Sequence, residues 1–309
     1  MHRPASPRKA ISPQTASALP IAALLAGNIA LAFGPWFVRL ADVGPVAAGF
    51  WRIAIAAPIL VALSFAGQKR PFAPARGLWL PIALGGLAFA ADLASWHVGI
   101  LQTTLANATL FGNSATLMYP IYGFLVARMW PTRTQGLALA LAAAGAALLL
   151  GRSFQLSPDH LIGDLLCLLA GTLYTVYFVL MGKAREAMAP LPALALSTLA
   201  SALPLLVAAL VMGERFWPGH WGVLIGLALA SQVVGQGLMI YAIGHLSPLV
   251  VGIGLLSQQI VAGIVGWSVY GETLGPPDFV GAILVAIALV LVRSGGPRVA
   301  SEAEGSKSA

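Results

Sequence analysis

"PIALGGLAFAADLASWHVGI", Pro81–Ile100, holds one acid and one histidine among twenty residues that are otherwise uncharged. About 20 apolar residues in a row suffice to cross a hydrocarbon layer as an α-helix. Comparable runs recur near 18–38, 45–66, 77–98, 104–127, 134–151, 160–181, 190–212, 220–242, 248–270 and 277–292. The sequence therefore predicts an all-α integral membrane protein with ten transmembrane helices. The alternating pattern of a membrane β-barrel is absent.

Composition supports this class. Of 309 residues, 59% are hydrophobic and 9% charged, against about 25% charged in a soluble domain; mean hydropathy is +0.87. Lys and Arg number 17 against 10 Asp and Glu. That balance fits cytoplasmic loops better than a nucleic-acid partner, because its distribution is one-sided. With the N-terminus inside, 13 of the 17 fall on the cytoplasmic side, among them Lys69, Arg70, Arg76, Arg128, Arg133, Lys183 and Arg185. The other side receives Arg39, Arg52, Arg152 and Arg215, accompanied by Asp42, Asp159, Glu214, Glu272 and Asp278. The expectation is a multi-pass protein of the cytoplasmic (inner) membrane with both termini cytoplasmic. Segments 1–17 and 295–309 read as disordered tails. Asn28 and Pro35 argue that the first span is a retained helix rather than a cleaved signal. The single Cys167 excludes an intrachain disulfide.

The two halves echo each other. "LLAG" occurs at Leu24–Gly27 and again at Leu168–Gly171, an offset of 144 residues. Pro58 and Pro204 are offset by 146, and Gly136 and Gly281 by 145. Such an offset contains five helices, and an odd number inverts the second copy relative to the first. The sequence thus predicts two inverted five-helix repeats, 18–151 and 152–294, an arrangement common in secondary transporters.

Three stretches carry a family resemblance: "FWRIAIAAPIL" (Phe50–Leu60), "ADLASWHVGILQTTLANATLFGNSATLMYP" (Ala91–Pro120) and "YGETLGPPDFVGAILVAIALVL" (Tyr270–Leu291). The chain resembles the drug/metabolite transporter superfamily, specifically ten-helix proteins with two EamA-type repeats. The first copy departs from the usual repeat ending, with Ala127 where the second copy has Glu272. The resemblance implies a transporter of small metabolites, often an amino-acid exporter, and among these a YddG-like exporter of aromatic or neutral amino acids. It implies no cofactor, no metal and no ATP hydrolysis. No GxxxxGK[ST] loop is present, and "GIGLLS" (Gly252–Ser257) lies inside an apolar span, where glycines serve packing.

Asp92 is the most informative residue in Pro81–Ile100. An acid at mid-membrane costs about 2.5–3.5 kcal/mol on insertion scales, so it normally faces a bundle interior or a cavity. It is a cavity or coupling residue, a structural hydrogen-bond anchor, or a residue of the membrane interface. His97 lies about 140° away on an ideal helix. Ser95 and Trp96 share the Asp92 face, so Asp92 and His97 do not form a local dyad.

Other polar candidates for a substrate cavity are spread over the spans. The first offers Asn28 and the fourth Asn107, Asn113 and Tyr119. The sixth offers Tyr174 and Tyr177, the eighth Gln232, Gln236 and Tyr241, and the ninth Gln258 and Gln259. Amides and phenols supply neutral donors and acceptors suited to a zwitterion. Arg52 is expected near the outer end of its helix, snorkelling or paired with Asp42 or Glu272 as a gate or structural bridge. Gly222 and Gly226 form a small-xxx-small pair expected at a helix contact.

An enzyme would need paired acids, HExxH or a nucleophile with its base; none appears, and "GWSVY" (Gly266–Tyr270) fails GxSxG. The competing readings are a transporter of another metabolite or drug, and a non-transporting scaffold or channel. The expected partners are a small-molecule substrate and membrane lipid, and a monomer is sufficient.

Overall fold

The computed structural model describes residues 18–103, 108, 111–151, 158–270 and 275–294. The expected tails, Asn107 and Glu272 lie outside them. The helices are α1 (Ala18–Ala32), α2 (Gly34–Leu40), α3 (Pro45–Gly67), α4 (Trp79–Gln102), α5 (Ala115–Ala127), α6 (Arg133–Gly151), α7 (Leu161–Arg185) and α8 (Pro190–Val211). Next come α9 (Trp221–Leu227), a π-helical stretch (Ala228–Gln236), α10 (Gly237–Ile243), α11 (Pro248–Leu255), α12 (Ser257–Tyr270) and α13 (Pro276–Ser294). Among the described residues there is no strand.

Among the described residues, six helical segments are long and apolar enough to cross a membrane: Ala18–Leu40, Pro45–Gly67, Trp79–Gln102, Pro158–Arg185, Pro190–Val211 and Trp221–Ile243. Ala115–Ala127, Pro248–Val261 and Pro276–Val292 are shorter apolar helices. Proline marks the first turn of α2, α3, α8 and α11, where its missing N–H is not needed. The Glu214 carboxylate caps α3 by accepting from Val46 N (3.2 Å) and Ala47 N (2.7 Å), an anion placed at the positive end of a helix.

Packing runs between the halves. α1 lies against the π-helical stretch and α10, α4 against α7, α3 against α8, α5 against α11, and α6 against α13. A shift of about 145 residues maps the first of these pairs onto the second, and the α3–α8 and α6–α13 pairs each onto itself. Large side chains such as Ile53, Leu60, Phe89, Phe178 and Leu194 fill the interior, while Leu125, Leu203, Leu210 and Val211 stay exposed on the outside. A lipid-facing helix needs that exterior, since its own backbone bonds are already closed.

The two ends differ in chemistry. At one end Trp51 donates to the Phe216 carbonyl (2.7 Å) and packs against Trp221 (4.9 Å between ring centroids), beside Asp42 and Glu214. At the other end the loops after α3 and α5 carry Lys69, Arg70, Arg76 and Arg128, and the last turn of α7 carries Lys183 and Arg185. These ends are the tryptophan face and the basic face.

The repeated glycines have a physical role. A Cβ on Gly171 would come within 2.8 Å of the Gly112 carbonyl, and one on Gly27 within 3.0 Å of the Gly235 carbonyl. Both positions bring a helix onto the backbone of its neighbour, which leaves no room for a side chain. Gly226 instead comes close to the Phe37 ring, whereas nothing lies within 4 Å of a Cβ on Gly222. The expected Gly222 contact is therefore absent, and only Gly226 of that pair lies at a close approach.

Candidate functional site

Phe89, Asp92, Leu93 and Trp96 recur at intervals of three and four along α4, so they share one face. That face lines a cavity of about 110 Å³, joined by Arg52 from α3, Tyr174 from α7 and Asn113, Gln236 and Gln258. Asp92 is 9% exposed and Arg52 4%. No ion pair joins these two side chains.

Arg52 is held from behind. Its Nε donates to Gln232 Oε1 (3.0 Å), and Gln232 Nε2 donates to Thr198 Oγ1 (3.0 Å). Its guanidinium carbon lies 5.6 Å from the centroid of the Phe89 ring, within cation–π range. Nη2 is buried with no hydrogen-bond partner. The expected bridge to Asp42 does not form, and Glu272, its other expected partner, lies outside the described residues. Arg52 is the eighth residue of α3, about 10 Å along its axis, too deep to reach Asp42. Asp42 instead accepts from Gly219 N (2.7 Å) and lies 3.7 Å from Arg215. The Gly219 hydrogen bond, helped by Arg215 and His220, holds its carboxyl below the usual range.

Asn28 does not line the cavity; it repairs a broken helix. Leu256 interrupts α11 and α12, and Asn28 Nδ2 donates to the Gly254 carbonyl (2.9 Å), which also accepts from Ser257 Oγ (2.7 Å). Gln258, on the cavity wall, donates through Nε2 to Asn28 Oδ1 (2.8 Å). With the Gln259 amide oriented by its neighbours, Asn113 Nδ2 donates to Gln259 Oε1 (3.0 Å) and Gln259 Nε2 to the Leu256 carbonyl (2.8 Å). Non-helical backbone at membrane depth requires such partners.

Gln236 lines the cavity, donates to the Tyr174 hydroxyl (3.0 Å) and leaves its Oε1 without a partner. It ends the π-helical stretch, a form that often marks functional positions. Gln232, four residues earlier, is spent on Arg52 and Thr198 rather than on the cavity.

Other candidates lie elsewhere. Ser95 is not among the lining residues, since it stands on the far edge of the face centred between Asp92 and Trp96. Tyr177 is fully buried behind Phe89, with ring centroids 4.5 Å apart. Tyr241 packs on His245 (4.4 Å). Tyr119 lines a second cavity of about 360 Å³ toward the basic face, with Tyr122, Gly182, Lys183, Arg185 and Pro248. His97 turns from Asp92 to the Pro45 carbonyl, 2.7 Å from Nδ1. Phe89, Thr198 and the second cavity were not legible as site elements. The signal for Phe89 was its place three residues before Asp92.

Among the described residues, no group of three or more His, Cys, Asp or Glu is gathered to hold a metal ion. Comparison with known proteins gives two matches to the EamA-like transporter family, over residues 18–151 and 161–294. The chain is 26% identical over 148 residues to an uncharacterized transporter of Archaeoglobus fulgidus, covering 47% of this chain and 50% of that protein. It thus spans about half the length of the curated relative it matches. A crystal structure of another protein is similar over 91% of this chain and 97% of that one, with a TM-score of 0.73 at 16% identity. At that identity the likeness is one of fold.

Proposed function

The chain belongs to the EamA-like transporter family, and on that premise we propose that it is a secondary transporter exporting aromatic or neutral amino acids by alternating access. In this reading ten transmembrane helices form two inverted five-helix repeats, 18–151 and 152–294, flanked by cytoplasmic tails 1–17 and 295–309. The basic face is cytoplasmic, as the positive-inside rule requires, and the membrane is the inner membrane. The cross-half helix pairs, which exchange under the repeat offset, support the inverted arrangement. The chain acts without catalysis, and one copy suffices.

The observation that carries this reading is the cavity itself. Arg52 on its wall offers a donor for a carboxylate, and Asp92 with Gln236 offers acceptors for an ammonium group. Phe89, Trp96 and Tyr174 supply aromatic surface between them. A ligand carrying both charges satisfies groups that are otherwise costly to bury. A volume of about 110 Å³ equals roughly four waters at ~30 Å³ each, so this conformation holds a small zwitterion and an aromatic cargo requires it to widen. Counterflow in proteoliposomes tests the reading. Saturable exchange of aromatic or neutral amino acids supports it, and no exchange across a broad amino-acid panel contradicts it.

A further inference from the structure

The two cavities lie between the same helices. α7 gives Tyr174 to the first and Gly182 to the second, and the turn before α5 gives Asn113 where α5 itself gives Tyr119. The segment leading into α10 gives Gln236 where its end gives Ile243, and the broken α11–α12 gives Gln258 and, from its start, Pro248. In each case the second residue lies nearer the basic face.

Along α7 the spacing is regular. Tyr174, Phe178 and Gly182 are four residues apart, hence on one face, and span about 12 Å of rise. Phe178 is fully buried, its ring 4.2 Å from Tyr174 in the first cavity wall and 5.4 Å from Tyr119 in the second. An aromatic ring of this size, packed on both sides, closes the space between two voids.

We propose that the two cavities are the two ends of one translocation path, and that the Phe178 ring is the plug separating them in this conformation. The proposal rests on the transport reading, and it assigns the second cavity as the cytoplasmic vestibule of the same path. Gly182 borders that vestibule without a side chain, and only the Tyr119 hydroxyl lies within 4 Å of a Cβ there, which leaves room for Phe178 to swing toward the basic face when the path opens.

The test reads accessibility and needs no cargo, so it fails or succeeds independently of the amino-acid panel. The single Cys167 is first removed (Cys167→Ala), and a reporter thiol is placed at Gly182→Cys, where a Cβ meets only the Tyr119 hydroxyl at 3.6 Å. A membrane-impermeant cationic thiol reagent is supplied from the face that labels Ala32→Cys, a residue of the first cavity. With Phe178 in place, Gly182→Cys is shielded from that face; with Phe178→Ala its labelling rises about tenfold or more, and with Phe178→Leu by a smaller factor. Labelling from the opposite face and at Ala32→Cys stays unchanged, which verifies the fold; if Phe178→Ala does not fold, Phe178→Leu carries the test. An unchanged rate at Gly182→Cys in a folded Phe178 variant overturns the proposal.

Discussion

Arg52 and Asp92 face one cavity from neighbouring helices, yet no ion pair closes between them. Gln232, itself held by Thr198, anchors the arginine through Nε. A buried acid and a buried guanidinium left unjoined are costly to the empty protein. A ligand that bridges them recovers that free energy, which is the basis for recognition here.

Removing the acid tests one half of the arrangement. Asp92→Asn keeps the shape of the side chain and deletes its charge. Counterflow falls by about tenfold or more, the size expected for a buried charge contact, and dependence on an imposed pH gradient is lost. Unchanged coupling in a folded variant assigns Asp92 to structure alone.

Gln232 should act through Arg52. Gln232→Leu leaves Nε of a buried guanidinium unpaired, costing about 1–3 kcal/mol of stability, and frees the arginine to turn toward Asp92. The expected signature is a raised KM with a smaller change in maximal rate. Gln232→Glu, which keeps an acceptor at the same place, recovers part of the KM. Equal losses in both parameters for both variants would place Gln232 in general packing.

Asn28 supports the broken helix rather than the ligand. Asn28→Leu removes the donor to the Gly254 carbonyl and the acceptor for Gln258, and interhelical amide bonds in membranes contribute about 0.6–2 kcal/mol. A lowered melting temperature in detergent is expected, together with weakened transport because Gln258 loses its anchor. An unchanged melting temperature would show that the break needs no such partner.

Gly171 and Gly222 form an internal comparison. Gly171→Ala drives a Cβ to 2.8 Å from the Gly112 carbonyl, while Gly222→Ala meets nothing within 4 Å. The first is expected to destabilise by about 1–3 kcal/mol and the second by little. Equal melting temperatures for the two variants would contradict the close approach of α7 to the turn before α5.

Hydrophobic run length made the helices legible, because an apolar run near 20 residues has few other homes. The interval of three and four around Asp92 likewise pointed to Trp96 and away from His97. Arg52 was misplaced because sequence gives the order of a residue in its helix but not what surrounds it at that depth. Its partner Gln232 lies 180 positions away, and Thr198, which holds Gln232, lies 146 away. Asn28 was read as a ligand, since a polar side chain in an apolar span looks the same whether it faces a cavity or a freed carbonyl. Only the break at Leu256 distinguishes the two. Phe178 carried no signal at all, as a phenylalanine in a membrane helix is unexceptional until its neighbours are known.

The central claim is that Arg52 and Asp92 together bind a zwitterion, and counterflow of a radiolabelled amino acid in proteoliposomes containing the wild type, Arg52→Gln and Asp92→Asn tests it most directly. The account predicts saturable exchange by the wild type and about tenfold or greater loss in each folded variant, with no further loss when the two changes are combined. Wild-type exchange rates in both folded variants would contradict it.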